Sequence, residues 1–254
     1  MLSFLRDFFG KVHAKSSSRD KAASCDADQR IEHWRAEVPA RRLLKEATQL
    51  KKDKSYEAAC RKLEEAFSAE GGDELMLKER MRLPMCLQLA GKSDEAWRIF
   101  NELNVTHVDV FSQAELANQM RIFLQKDKSY RQALLFEVWA ICKELVRDKE
   151  NVVQIYDNAD MYASMEVDVS FGRKEPLGYT SKNNPIFDNA LKMFEDRIML
   201  TASPEGIEQR IASLVKKSNM SNSSAQIAKG VSSYLSSRKE YRLDEVRDLL
   251  ETFD

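Results

Sequence analysis

Glycine and proline are scarce in this chain. Eight Gly and five Pro among 254 residues leave few natural breaks, which argues against a loop-rich or sheet-rich architecture and favours helices. Cysteine is equally sparse: Cys25, Cys60, Cys86 and Cys142 stand far apart, with no C-x-x-C and no histidine placed to complete a zinc site. That excludes a disulfide scaffold and suits free thiols in a reducing compartment, so the cytoplasm is the expected location. Only three histidines occur, His13, His33 and His107, none in a nucleophile or metal spacing with Ser, Cys or a carboxylate. No catalytic residue, cofactor or metal ligand is therefore assigned. An excess of one charge is missing too. Forty basic against forty-one acidic side chains give a net charge of -1, which excludes a general polyanion binder and confines any nucleic-acid contact to a local patch. No apolar run approaches the roughly 18 residues of a membrane span.

What the chain does have is a repeat. The string KDKSY occurs at Lys52 to Tyr56 and again at Lys126 to Tyr130. Each copy follows an apolar-periodic stretch and precedes an alanine that opens another. A third stretch with the same grammar, LAGKSDEAWRIFNEL, lies between them. Aligned on Ala59, Ala96 and Ala133, the three are spaced 37 and 37 residues apart. A period of that length with two helices per unit marks stacked helical hairpins, in which no single unit can bury its own apolar face.

Over residues 40–146 the chain resembles the tetratricopeptide repeat family. In the first unit Ala47 and Leu50 match the small and large residues of the family's first helix, and Ala59, Leu63 and Ala66 those of the second. The second unit offers Leu83, Leu87, Gly91 in the turn, Ala96, Phe100 and Leu103, and departs at Pro84, which is expected to kink its helix. The third offers Met120, Leu124, Ala133 and Ala140, but Glu137 stands where a large apolar residue belongs, so a polar neighbour or a shifted register is expected there. The period also departs from the family's usual 34.

The resemblance implies an all-α, tetratricopeptide-like solenoid acting as a scaffold for protein-protein interaction. Its concave face would present Arg41, Thr48 and Lys51, then Lys78, Met81, Met85 and Gln88, then Asn118, Ile122 and Gln125. These are mixed basic, polar and apolar, and suit a partner with an acidic residue and one or two apolar anchors. The family's carboxylate clamp would fall on Leu44, Thr48, Arg82, Glu115 and Gln119, and the acid at Glu115 argues against it.

The flanks read separately. Residues 1–13 pattern as an amphipathic helix with Leu2, Leu5, Phe9 and Val12 on one face, which could dock on the protein, on a second copy, in a partner's groove or weakly on a membrane. Residues 14–28 read as a flexible linker and 29–165 as the repeat domain, with Trp34 at its open end and NVVQIYDNADMYASM as the first helix of an incomplete fourth unit. Residues 166–185 read as a long loop of extended flavour, and 186–254 as a C-terminal helical region with Ser203 and Pro204 opening one helix. The loop's GRKEPLGYTS superficially resembles a phosphate-binding loop but has Tyr179 where the lysine belongs. Two other functions stay open. One is nucleic-acid association through the basic stretch Gln209 to Arg242, which carries Arg210, Lys216, Lys217, Lys229, Arg238, Lys239 and Arg242 against Glu240. The other is an enzyme or toxin with its chemistry in the second half.

Overall fold

Three turns of this protein share one backbone design. The computed structural model describes residues 38–157, 166–169, 173–176 and 185–253. In it Lys54, Gly91 and Lys128, successive residues 37 apart, take left-handed φ values of 61, 78 and 61°. Each follows a helix, and each turn closes with the same pair of bonds. Ser55, Lys92 and Ser129 donate to the carbonyls of Leu50, Leu87 and Leu124 at 2.9, 2.9 and 3.0 Å, while Lys54, Gly91 and Lys128 donate to Lys51, Gln88 and Gln125 at 3.2, 3.1 and 3.3 Å. Together these satisfy the last carbonyls of the helix.

A second helix then begins within two residues, so every turn makes a helical hairpin. The first hairpin is α1 (Pro39–Lys52) with α2 (Tyr56–Ser68). The second is α3 (Leu77–Arg80) and α4 (Arg82–Leu89) with α5 (Ser93–Thr106). The third is α6 (Val110–Lys126) with α7 (Tyr130–Asp157). Ala59, Ala96 and Ala133 are each the fourth residue of the hairpin's second helix, and each is fully buried. A methyl group is the largest side chain that fits where two helices approach this closely.

Lysine in the left-handed region is strained by its Cβ, at about 1 kcal/mol or more, whereas Gly91 is not. We expect Lys54→Gly and Lys128→Gly each to raise stability in urea unfolding by about 0.5 kcal/mol after the glycine's greater unfolded-state freedom is deducted. Alanine at either site should bring no gain. A fall in stability with glycine would show that the lysine side chains do something the turn geometry does not require.

The chain divides into two compact units. The first contains α1 and α2, whose core is Ala40, Leu44 and Ala47 against Ala59, Cys60, Leu63 and Ala66. Pro39 opens α1 at the position where its missing N–H is harmless. After α2 the chain turns back over the start of α1, and Ala40 N–H donates to Glu70 O at 3.2 Å. Gly71 permits this, with φ of +78° and a Cβ position only 2.3 Å from Val38 Cγ1. The long loop expected at 166–185 is not wholly irregular. It holds a short antiparallel ribbon, β1 (Glu166–Val169) with β2 (Arg173–Pro176), in which Glu166 faces Pro176.

The second unit holds the other two hairpins and α8 (Pro185–Ala202, from Asp188 onward), α9 (Pro204–Ser218), α10 (Ser224–Ser237) and α11 (Leu243–Glu251). Pro84 acts on its helix as expected. It has no N–H for the Arg80 carbonyl, and the helix breaks at Met81 into α3 and α4. The central helix is α7. Residues 133–142 are buried on every side except at Leu135, as a helix in the middle of a bundle requires. The fourth-unit helix expected at NVVQIYDNADMYASM does not start anew, because α7 runs unbroken to Asp157. Ser203 caps α9 by accepting from Gly206 N–H at 3.0 Å, and Ser223 caps α10 by accepting from Gln226 N–H at 3.3 Å. The expected amphipathic helix at 1–13, the linker and the cap at Trp34 lie outside the described residues.

Candidate interaction surface

Successive hairpins of the second unit meet through aromatic rings and two polar contacts. Phe100 on α5 sits edge-on to Phe123 on α6 with centroids 5.4 Å apart, and Trp97 lies 5.8 Å from Phe123 and 5.5 Å from Phe136 on α7. Gln88 Nε2 donates to the Phe123 carbonyl at 2.8 Å, and Ser93 Oγ donates to Asp127 Oδ1 at 2.9 Å. The second bond joins one KDKSY-type turn to the next.

Most of the sequence-predicted face positions are accessible. Lys51 and Lys78 are exposed, while Arg41, Thr48, Met85, Gln88, Asn118, Ile122 and Gln125 are half-buried. Arg41, Thr48 and Lys51 belong to the first unit and the others to the second. Met81 is a correction. Lying at the break forced by Pro84, it turns into the core and is 4% exposed. Thr48 spends its hydroxyl on the Leu44 carbonyl at 2.7 Å. Gln88 is a tie between hairpins as well as a face residue, and its Oε1 is buried with no hydrogen-bond partner.

Asn118 and Gln125 both serve Arg121, a residue that the sequence reading passed over. Arg121 Nη2 donates to Asn118 Oδ1 at 2.7 Å and Nη1 to Gln125 Oε1 at 3.0 Å. Its Nε lies 2.9 Å from Glu137 Oε2 on α7. The other oxygen of Glu137 accepts from Arg210 Nε of α9 at 2.6 Å, and Arg210 Nη1 reaches on to Glu144 Oε2 at 2.6 Å. The anomalous glutamate of the third unit therefore has a polar neighbour, and the register stands. Burial works against the charge on Arg210, but the hydrogen bonds it donates to Glu144 and the charge of Glu137 outweigh it and raise its pKa. One turn beyond Glu144, the buried Asp148 accepts from Arg197 of α8 through both oxygens, at 2.6 and 2.8 Å. One face of α7 is thus a row of carboxylates, each met by an arginine from another helix.

This network takes up part of the basic stretch from which nucleic-acid binding was considered. Arg210 is turned inward, Arg242 pairs with Asp244 at 2.9 Å, Arg238 lies 3.8 Å from Glu245, and Lys217 sits over the Tyr130 ring at 5.3 Å. Only Arg210 is withdrawn from the surface; Lys216, Lys217, Lys229, Arg238, Lys239 and Arg242 are exposed, and the pairs of Arg238 and Arg242 are solvent-exposed ones.

A cleft of about 230 Å³ opens beside the start of α7, with Arg131, Leu134, Met220, Arg247 and Glu251 in its wall, and its lining contains no His, Cys, Ser, Thr or Tyr. Burial pushes the Cys142 thiol up to about 12, which leaves it unreactive. Among the described residues no cluster of three His, Cys, Asp or Glu is placed to hold a metal, and no helix is long and apolar enough to cross a membrane. Of the phosphate-loop-like string only Arg173–Pro176, the strand β2, is described, and most of the Val167 to Pro185 stretch lies outside the described residues. No protein family, curated protein or solved structure matches the chain.

Proposed function

We propose that this protein is a non-enzymatic interaction module, a tetratricopeptide-like scaffold that holds an extended segment of a partner across the first helices of its second and third hairpins. The observation that carries the reading is positional. Met85 and Ile122 each precede a left-handed turn residue by six positions, and Gln88 and Gln125 by three, in two hairpins whose turns have the same bonds. The same two chemical types, one apolar and one amide, thus recur at equivalent places on neighbouring units. That recurrence suits a partner whose backbone meets amides while apolar side chains meet Met85 and Ile122.

The partner chemistry that fits best is an extended segment with an acidic residue and apolar anchors, because Lys78 is exposed on α3. A cytoplasmic setting belongs to the same reading, since Cys60, Cys86 and Cys142 are free thiols in the interior.

The test is affinity capture with quantitative partner lists for the full chain and for Ile122→Glu with Gln125→Glu. Removal of an apolar anchor from an interface costs about 2 kcal/mol, so retained partners should fall roughly thirtyfold while the thermal unfolding midpoint stays near that of the parent protein. An unchanged list would count against this face.

A further inference from the structure

The turn after α9 has a left-handed residue as well: Asn219, with φ of 53°. Set against the turn residues of the second and third hairpins, α9 has the burial pattern of their first helices; α1 does not share it, since Glu46 and Gln49 at the corresponding places before Lys54 are exposed. Leu83, Cys86 and Leu87 precede Gly91 by eight, five and four positions; Met120, Phe123 and Leu124 precede Lys128 by the same intervals; so do Ile211, Leu214 and Val215 before Asn219. All nine are buried. Twelve positions before the turn stand Leu116 and Ile207, both fully buried. The outward positions correspond too. Asn118, Ile122 and Gln125 of α6 have Gln209, Ser213 and Lys216 as counterparts, and these three are exposed.

The contacts agree with the pattern. α10 follows Asn219 after a longer turn than in the other hairpins, with Ser223 capping its start; it packs on α9 and buries Ile227, Ala228, Val231 and Leu235, its fourth residue being Ile227 rather than an alanine. Arg210 of α9 and Arg121 of α6 end on the two oxygens of one carboxylate, Glu137, so both helices flank the same stretch of α7. The interval from Lys128 to Asn219 is 91 residues rather than 37, and the excess is the segment between α7 and α9.

We infer that α9 and α10 form a fourth unit of the same repeat, separated from the third by an inserted segment, and that α9 carries the partner-binding face onward through Gln209, Ser213 and Lys216. The inference rests on the interaction reading above and adds a place and a charge to it. Lys216, with its neighbour Lys217, gives this face an exposed positive end on α9; the guanidiniums of Arg121 and Arg210 are held by Glu137 and Glu144 and add no net charge. An extended acidic segment crossing from α6 to α9 is its complement.

The experiment places the photoreactive residue benzoylphenylalanine at Ser213, at Gln125 or at Lys229 on α10 in the full chain. The probe is a library of short synthetic peptides that alternate acidic residues with Leu or Phe. A peptide lying across both first helices crosslinks in similar yield at 213 and 125 and roughly tenfold less at 229, because only groups held against the peptide see a high effective concentration. In the otherwise native chain, Lys216→Glu should weaken binding of the best peptide about tenfold. Crosslinking at 125 without 213 would overturn the inference and leave the interaction reading in place. Crosslinking at neither, or equally at all three, would overturn both.

Discussion

Replacing Glu137 with leucine is expected to destabilise the protein by about 3 kcal/mol, although leucine is the residue type that the repeat pattern calls for at that position. The reason is what remains behind. Glu137 is 5% exposed and holds Arg121 and Arg210 on its two oxygens. Without it, Arg121 keeps only the neutral amides of Asn118 and Gln125, and Arg210 keeps Glu144 alone. Breaking a buried pair by removing one partner costs about 3 to 5 kcal/mol. The lower end applies here, because both arginines have some access to water. Chemical unfolding of Glu137→Leu measures the loss. The triple change Glu137→Leu, Arg121→Ala and Arg210→Leu should recover most of it, since apolar residues of similar size often replace a buried ionic cluster without loss. A single substitution that left stability unchanged would mean that the glutamate is not engaged as described.

The equivalent residue one unit earlier is Phe100, and its truncation should be as damaging by a different mechanism. Phe100 is fully buried and packs edge-on against Phe123 of the next hairpin. Phe100→Ala removes that contact and leaves a cavity, at an expected cost of about 3 to 5 kcal/mol. Because the lost contact joins two hairpins, amide hydrogen exchange in α4 and α5 should accelerate more than in α9 and α10. Uniform acceleration would indicate one indivisible core instead.

Leu63, Phe100 and Glu137 are therefore three answers to one packing problem. Two are apolar. In the third hairpin Arg121 and Glu137 face one another across α6 and α7, and Arg210 reaches Glu137 from α9.

That contrast marks how far the sequence could be read. The hairpin turns were legible because a Schellman-type ending needs a left-handed residue followed by a second helix start, and KDKSY and AGKS supply both within a few positions. The buried alanines were legible for the same local reason, as was the Ser203 cap. The extent of α7 was not. A helix buried on all sides loses the 3.6-residue alternation from which helices are recognised, and nothing between residues 133 and 157 marks an end. The arginine partners were illegible because Glu137 and Arg210 are 73 residues apart, and charge pairing across that interval has no period. Glu137 itself gave a signal, being an acid in an apolar slot, but its partner could not be named. Of the face positions, Met81 was misread because the break before Pro84 rotates it inward. The α9 counterparts, Gln209, Ser213 and Lys216, were missed because the interval of 91 hides them from a search at 37.

The most direct test of the stacking on which this account rests is a double-mutant cycle on Phe100 and Phe123, each changed to leucine singly and together. Stacked hairpins predict a coupling energy of about 1 kcal/mol for this edge-to-face pair, with the double mutant losing less than the two single changes added together. Strict additivity would mean that the second and third hairpins do not meet there, and would contradict the repeat packing directly.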